Sequence, residues 1–348
     1  MKAAFFHTVG DIRTAETRDV EEPGPGEALV QVTAVGICGS DLHAYLFGNM
    51  GGIVNNEPLI LGHEAAGRII ALGPNAPDHL KIGQRVAIDP ATPCLECERC
   101  LDGQPHLCLN LKFMGLYPHN GALRERMVHP TRCLFPMPDT ISDIGAALLE
   151  PLGVALHGSR LAKIEVGEDV AVIGCGGVGS LIIRLARLQG ARRIFVADRY
   201  PWRLDIAANF GADYLIDSNK QDIVEEVMRV TNKRGVDVAI EAAWVEQTAN
   251  QCVQMVRYGG RVVIVGIPAQ DEIVLQTTAA RRKEVPLIFS RRMKHVYPNT
   301  TVLAETGRVN IDAIATHRFT LDQAKQAFET AANYQDGVIR AIILPTPS

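Results

Sequence analysis

V170-A-V-I-G-C-G-G-V-G179 decides the fold: an apolar run ends in a glycine-rich turn, and an amphipathic helical pattern follows over 180–188. Gly174, Gly176, Gly177 and Gly179 allow a tight turn and a close backbone approach, while the N-terminus of the helix behind them faces a pyrophosphate. In a chain with 31 glycines such a match is weak alone, but here it sits between a strand and a helix. The next strand, 194–198, ends on Asp198, 19 residues past Gly179 (198 − 179). A carboxylate there accepts hydrogen bonds from the adenosine ribose hydroxyls and repels a 2′-phosphate, so NAD(H) is expected over NADP(H). Arg199, its neighbour, is a residue type able to hold that phosphate. A glycine turn without a ligand is the other reading, and the acid at this distance argues against it.

Outward from this turn, strands at 170–174, 194–198, 236–241 and 261–266 alternate with helical patterns, and Pro201 suits the first turn of a helix that Gly211 closes. Alternation of this kind gives βαβ units and a mainly parallel sheet. Residues 1 to about 150 differ: they are dense in Gly and Pro, with short β-rich runs at 28–34, 65–71 and 84–88. Beyond 290 the pattern loosens into a helix over 320–328, N-capped by Thr320, and a last strand over 338–344 expected to pack on the first domain. The fold class is α/β, with expected boundaries of 1–152, 153–292 and 293–348. A length of 348 residues suits two domains, and a net charge of −4 gives no footprint for nucleic acid. M1-K-A-A-F-F-H-T-V-G10 has no apolar signal core and no run is long enough to span a bilayer, so no membrane partner and a cytoplasmic location are expected.

Half of the eight cysteines crowd into C94-L-E-C-E-R-C-L-D-G-Q-P-H-L-C108. Cys94, Cys97, Cys100 and Cys108 lie within fifteen residues, and short C-x2-C links let one loop wrap a tetrahedral Zn²⁺ as a closed structural site. A pair of disulfides is the alternative and needs an oxidising compartment. Cys133, Cys175 and Cys252 match no ligand position and read as small buried thiols.

G36-I-C-G-S-D-L-H43 and G62-H-E64 are undiagnostic separately. Together with the cysteine run and the glycine turn, in this order along essentially the whole chain, they resemble the zinc-dependent medium-chain dehydrogenases of the alcohol dehydrogenase superfamily, especially the polyol (sorbitol and xylitol) dehydrogenases and threonine dehydrogenase. The resemblance implies a GroES-like β-rich catalytic domain and a Rossmann doubly wound domain. It implies a catalytic zinc on Cys38 and His63, with Glu64 as third ligand or close neighbour and Glu150, in L149-E-P-L-G-V-A-L-H157, completing the set. Ser40 and His43 would relay a proton through the cofactor ribose, His43 titrating in the physiological range. Val178, Arg203, Val265, Gly266 and Ile267 would touch the cofactor, and Arg292 the substrate. Met293 and Ala44 stand where sorbitol dehydrogenases place a tyrosine and another aromatic. Two Zn²⁺ per chain, NAD and a homo-oligomer, dimer or tetramer, formed through an edge near 261–285 are implied. The expected activity is oxidation of a secondary alcohol of a polyol, cyclitol or sugar acid to a ketone. L-threonine 3-dehydrogenase is the nearest alternative, and a non-catalytic nucleotide-binding protein the alternative of another class.

Overall fold

The strand Glu27–Gly36 alternates over its first eight residues, with Ala28, Val30, Val32 and Ala34 buried, and this periodicity fixes which face meets the core. It lies at the centre of a seven-stranded sheet in the computed structural model, which describes residues 1–50, 52–54, 57–243, 245–267 and 272–346. Its antiparallel neighbours are Glu64–Leu72, Arg126–Pro130 and Arg340–Leu344. The register sets Gly36 opposite both Glu64 and Ile342. Phe6, Leu61, Ile69, Leu123 and Phe328 fill the core beside this sheet. These elements belong to one of two compact units, made of Met1–Pro151 and Tyr297–Ser348.

The second unit, Leu152–Val296, is built on a six-stranded parallel sheet. Its strands are β1 (Asp169–Ile173), β2 (Arg193–Asp198), β3 (Tyr214–Asp217), β4 (Val236–Glu241), β5 (Val256–Ile264) and β6 (Leu287–Phe289). They lie in the order β3-β2-β1-β4-β5-β6, every pair parallel. All of β1 and β4 is buried, as expected for strands covered on both faces. The chain leaves β1 in one direction along the sheet and later returns past it to β4. The reversal opens a crevice at the carboxyl ends of β1 and β4, where doubly wound folds bind ligands.

At the opposite end of the sheet, buried Asp169 accepts hydrogen bonds from Arg192 (2.7 Å) and Arg193 (2.5 Å), while its N–H donates to Asp237 (2.9 Å). Arg234 and Arg257 complete the shell around Asp237.

Several element boundaries differ from the sequence reading, two of them near residues of interest. β5 starts at Val256 and stops at Ile264, leaving Val265 and Gly266 beyond its end. Thr320 caps a 3-10 turn, Leu321–Gln323, by a reciprocal bond with Gln323, and the α-helix proper is Ala324–Ala332. Among the described residues no helix is long and apolar enough to cross a membrane.

Candidate active site and metal centres

Cys38 ends the extended segment leaving Gly36 and N-caps helix α1 (Gly39–Phe47). The Asp41 carboxylate organises this turn. One oxygen accepts from the Cys38 N–H (2.9 Å); the other accepts from the Gly62 N–H (3.2 Å) and lies 3.4 Å from His63 Nδ1. Nδ1 lies within ion-pair distance of the Asp41 carboxylate without a hydrogen bond to it, and Nε2 faces Ser40 Oγ at 3.4 Å. Burial opposes protonation of His63, yet Asp41 and Cys38 hold its pKa well above the usual value.

Glu64 is fully buried, and its carboxylate passes so close to Gly36 that a Cβ there would lie 2.2 Å from Oε2. Arg340 faces it, with Nη2 3.3 Å from Glu64 Oε1 and Nη1 donating to Ile37 O (2.9 Å). Burial works against the Arg340 charge, but Glu64, Cys38, Glu150 and Asp41 hold it protonated. The ligand atoms of Cys38, His63 and Glu64 all lie within 4.8 Å of one another. One thiol, one imidazole and one carboxylate match the donor set of an open, catalytic zinc site. Glu150 is buried and lies outside that trio, joined to it through its field on Arg340.

His43 lies on α1, buried, with its ring edge-on to Phe47 at 5.7 Å. Burial pulls the His43 pKa down to about 4.

The four lobe sulfurs also converge within 4.8 Å. Cys94 and Cys108 Sγ are 3.5 Å apart and Cys97 and Cys108 Sγ 3.9 Å. Four sulfurs tetrahedrally placed at ~2.3 Å from zinc are ~3.8 Å from one another, whereas a disulfide requires ~2.05 Å. The geometry is that of a closed metal site, and all four thiols are unpaired. Backbone N–H groups of Leu109 and Cys100 aimed at Cys97 lower its thiol to about 6, favouring the thiolate a metal needs.

In the second unit, Gly176 N-caps helix α2 (Gly177–Leu188). Gly174 has φ 89°, and a Cβ there would lie 2.7 Å from Ala242 O; one on Gly179 would lie 2.0 Å from Gly174 O. Within the turn Gly176 and Val178 are partly exposed, whereas Gly177 and Gly179 are buried. Asp198 closes β2 and accepts from the N–H groups of Cys175 (2.9 Å) and Tyr200 (3.0 Å), with Arg203 Nη1 3.7 Å away. The Arg199 and Arg203 guanidinium groups both lie over the Tyr200 ring, at 4.8 and 5.2 Å. The N–H groups of Val265 and Gly266 both donate to Glu241 O, and Ile267 is exposed. Arg292 has φ 56°, and its guanidinium nitrogens are withdrawn from solvent. Met293 is buried: its sulfur lies 2.6 Å from where a Gly153 Cβ would stand. Ala44 is likewise fully buried in the core of its own unit. Both positions serve packing.

Sequence reasoning missed Asp41 and Arg340. Asp41 stands three residues after Cys38, the spacing of a capping box, and that was its available signal. Arg340 lies 276 residues from Glu64 (340 − 64) and carries no local signal.

A doubly wound nucleotide sheet, a Cys₄ lobe and a Cys-His-Glu cluster together define the class of zinc-binding dehydrogenases. Residues 24–139 match the alcohol dehydrogenase GroES-like domain and residues 177–306 the zinc-binding dehydrogenase domain. The chain belongs to the zinc-containing medium-chain alcohol dehydrogenase superfamily, in its group of NAD(P)-dependent polyol and alcohol dehydrogenases. It is 36% identical to the sorbitol dehydrogenase of Bacillus subtilis, covering 99% of this chain and 97% of that protein. It is 36% identical to the L-idonate 5-dehydrogenase of Vitis vinifera, covering 89% and 86% of the two chains. An Escherichia coli oxidoreductase/dehydrogenase of unknown specificity superposes with a TM-score of 0.93 over 99% of both chains, at 29% identity.

Proposed function

We propose that this chain oxidises a secondary alcohol of a polyol, cyclitol or sugar acid to a ketone, using two zinc ions per chain and NAD⁺. The observation that carries the reading is the trio Cys38, His63 and Glu64, its imidazole and carboxylate buried, with Asp41 beside the histidine and Arg340 facing the glutamate. When bound, zinc supplies the Lewis acidity that lowers an alcohol's pKa, and NAD⁺ accepts the hydride. Asp41, beside the imidazole, orients His63. Glu64 and Glu150 are two carboxylates able to exchange with water in the same field. Ser40 and His43 hand the alcohol proton outward: a neutral imidazole accepts it on one nitrogen while donating from the other. Gly174, Gly176, Gly177, Val178 and Gly179 would face the pyrophosphate, and Asp198 with Arg203 the adenosine ribose. Val265, Gly266 and Ile267 would meet the nicotinamide end, and Arg292 the substrate.

In this reading residues 1–152 and 293–348 form the catalytic domain and 153–292 the NAD-binding domain. Four thiols kept as ligands suit a reducing compartment such as the cytoplasm. The edge strand β6, with Phe289 63% exposed, offers a pairing edge for a homo-oligomer, dimer or tetramer. Of the stretch 261–285 expected to supply that edge, residues 268–271 lie outside the described residues.

Metal content by mass spectrometry, combined with an NAD⁺-linked screen of polyols, inositols, sugar acids and threonine, tests the proposal. Two zinc per chain and NADH formation with a polyol-type substrate are expected. Turnover of threonine alone would reassign the substrate, and full zinc with no NADH from any alcohol would leave a nucleotide-binding protein without catalysis.

A further inference from the structure

The four-cysteine lobe is joined to its unit by two backbone pairs, Lys112 with Thr92 and Phe113 with Ala91, and by a bond from the Met114 N–H to Pro90 O (2.9 Å). The loop they close, 93–111, runs to 19 residues (111 − 92), and neither of its helical turns buries a residue. So short a ladder is marginal by itself, and the entropy of closing the loop opposes it. The sulfur cluster stands directly above these pairs. Cys94 lies two residues past Thr92 and Cys108 four before Lys112, their Sγ atoms are 3.5 Å apart, and the Cys94 N–H donates to Cys108 Sγ at 3.3 Å. A metal shared by those sulfurs clips the two strands of the neck together.

The strand that leaves the lobe runs onto the segment bearing His63, within the same unit. The Phe113 ring packs against the His63 ring, with centroids 5.2 Å apart and planes tilted by 54°. Two residues on, Gly115 has φ 81°, and a Cβ there would lie 3.1 Å from Gly62 O, so the two backbones touch. Two side chains therefore bear on the orientation of the imidazole: the Asp41 carboxylate from α1 and the Phe113 ring from the lobe exit.

We propose that Phe113 is a positioning residue that couples the two metal centres: a metal in the lobe keeps the neck closed, the closed neck holds Phe113 on the His63 ring, and the Cys38 centre binds zinc more tightly for it. The inference rests on the two-zinc reading above and adds a link between the sites. Immobilising an imidazole on a metal costs conformational entropy, and contacts that fix the ring beforehand remove part of that cost. Partners that orient a ligand contribute about 10- to 100-fold in metal affinity.

The test measures zinc affinity at the Cys38 centre, by competition against graded chelators, in wild type, Cys97→Ser, Phe113→Leu and the double variant. Cys38→Ser, which retains the lobe cysteines, marks which dissociation belongs to the lobe. Each of Cys97→Ser and Phe113→Leu is expected to weaken the Cys38 centre about tenfold, and the double variant no further, because both act through one contact. Phe113→Tyr, which keeps a ring, is expected to bind zinc as wild type does. Wild-type affinity in Cys97→Ser overturns the proposal, as do losses that add in the double variant. A loss in Phe113→Tyr equal to that in Phe113→Leu overturns it too, since the ring contact is then not what holds His63. If wild type binds fewer than two zinc ions, the two-zinc reading fails; two ions in wild type with an unaltered Cys38 centre in Cys97→Ser defeat the coupling alone.

Discussion

The Asp41 carboxylate fixes the start of α1 through Cys38, ties down the segment carrying His63 through Gly62, and lies 3.4 Å from the imidazole Nδ1. An amide of the same shape keeps only part of this. Asp41→Asn is expected to weaken zinc binding at the Cys38 centre about 10- to 100-fold, as loss of outer-shell partners does elsewhere. Competition against a graded series of chelators measures it, and an unaltered metal affinity would show that Asp41 does not orient His63. Cys38 and His63 were visible in the sequence because a thiol and an imidazole in short glycine-bearing motifs are metal-ligand types. Asp41 is equally close in sequence but reads as an ordinary capping acid until the fold brings Gly62 and His63 against it. The lowered pKa of His43 was not legible, since it depends on how thoroughly the ring is buried.

At the scale of elements, the cysteine lobe leaves the fold and returns to it through one narrow neck, where Lys112 and Phe113 pair with Thr92 and Ala91. Within the lobe the regular structure is one turn of helix, Glu98–Leu101, and a 3-10 turn, Pro105–Leu107, neither burying a residue of its own. So little buried apolar surface leaves the metal as the main hold on this segment. Cys97→Ser is expected to remove one zinc per chain and to open the segment 94–108 to limited proteolysis, the rest of the chain staying resistant. Unchanged zinc stoichiometry in that variant would dismiss the four-sulfur site. Four of the six parallel strands, β1, β2, β4 and β5, were legible as largely apolar runs and residues 28–34 as a further strand, because burial on two faces or one dictates those patterns, whereas the short β3 was not read. The helix Tyr297–Glu305 buries only Tyr297 and Thr300 and so wrote no such pattern. The 3-10 turn after Thr320 shares its cap chemistry with an α-helix, which is why the helix start was read three residues early.

For the whole molecule, acid sensitivity follows from histidines buried uncharged. His129, with Nε2 2.9 Å from Asp89 O, is pulled to about 4 by burial, and His157 is lowered by burial and by Arg160 and Lys294. Below the ordinary value of 6.5 the unfolded chain takes up the proton and the folded one does not. Stability therefore falls as pH drops from 6.5 towards 4, by on the order of 3 kcal/mol for His129. Asp169 and Asp237, whose pKa values are depressed by their arginines against the pull of burial, add a second loss below about 3.8. Urea midpoints between pH 7 and 4.5 should decline less steeply in His129→Gln than in wild type; equal slopes would acquit His129.

The pairing of Arg340–Leu344 with Glu27–Gly36 also orders events during synthesis. Residues 152–296 are contiguous and can assemble as they leave the ribosome, whereas the sheet bearing Cys38 lacks a neighbouring strand until the last part of the chain emerges. Through that interval Glu64 is made but Arg340, its counter-charge, is not. The nascent chain thus carries Glu64 without its counter-charge over roughly 280 residues of translation, an interval that ends only when the strand bearing Arg340 pairs.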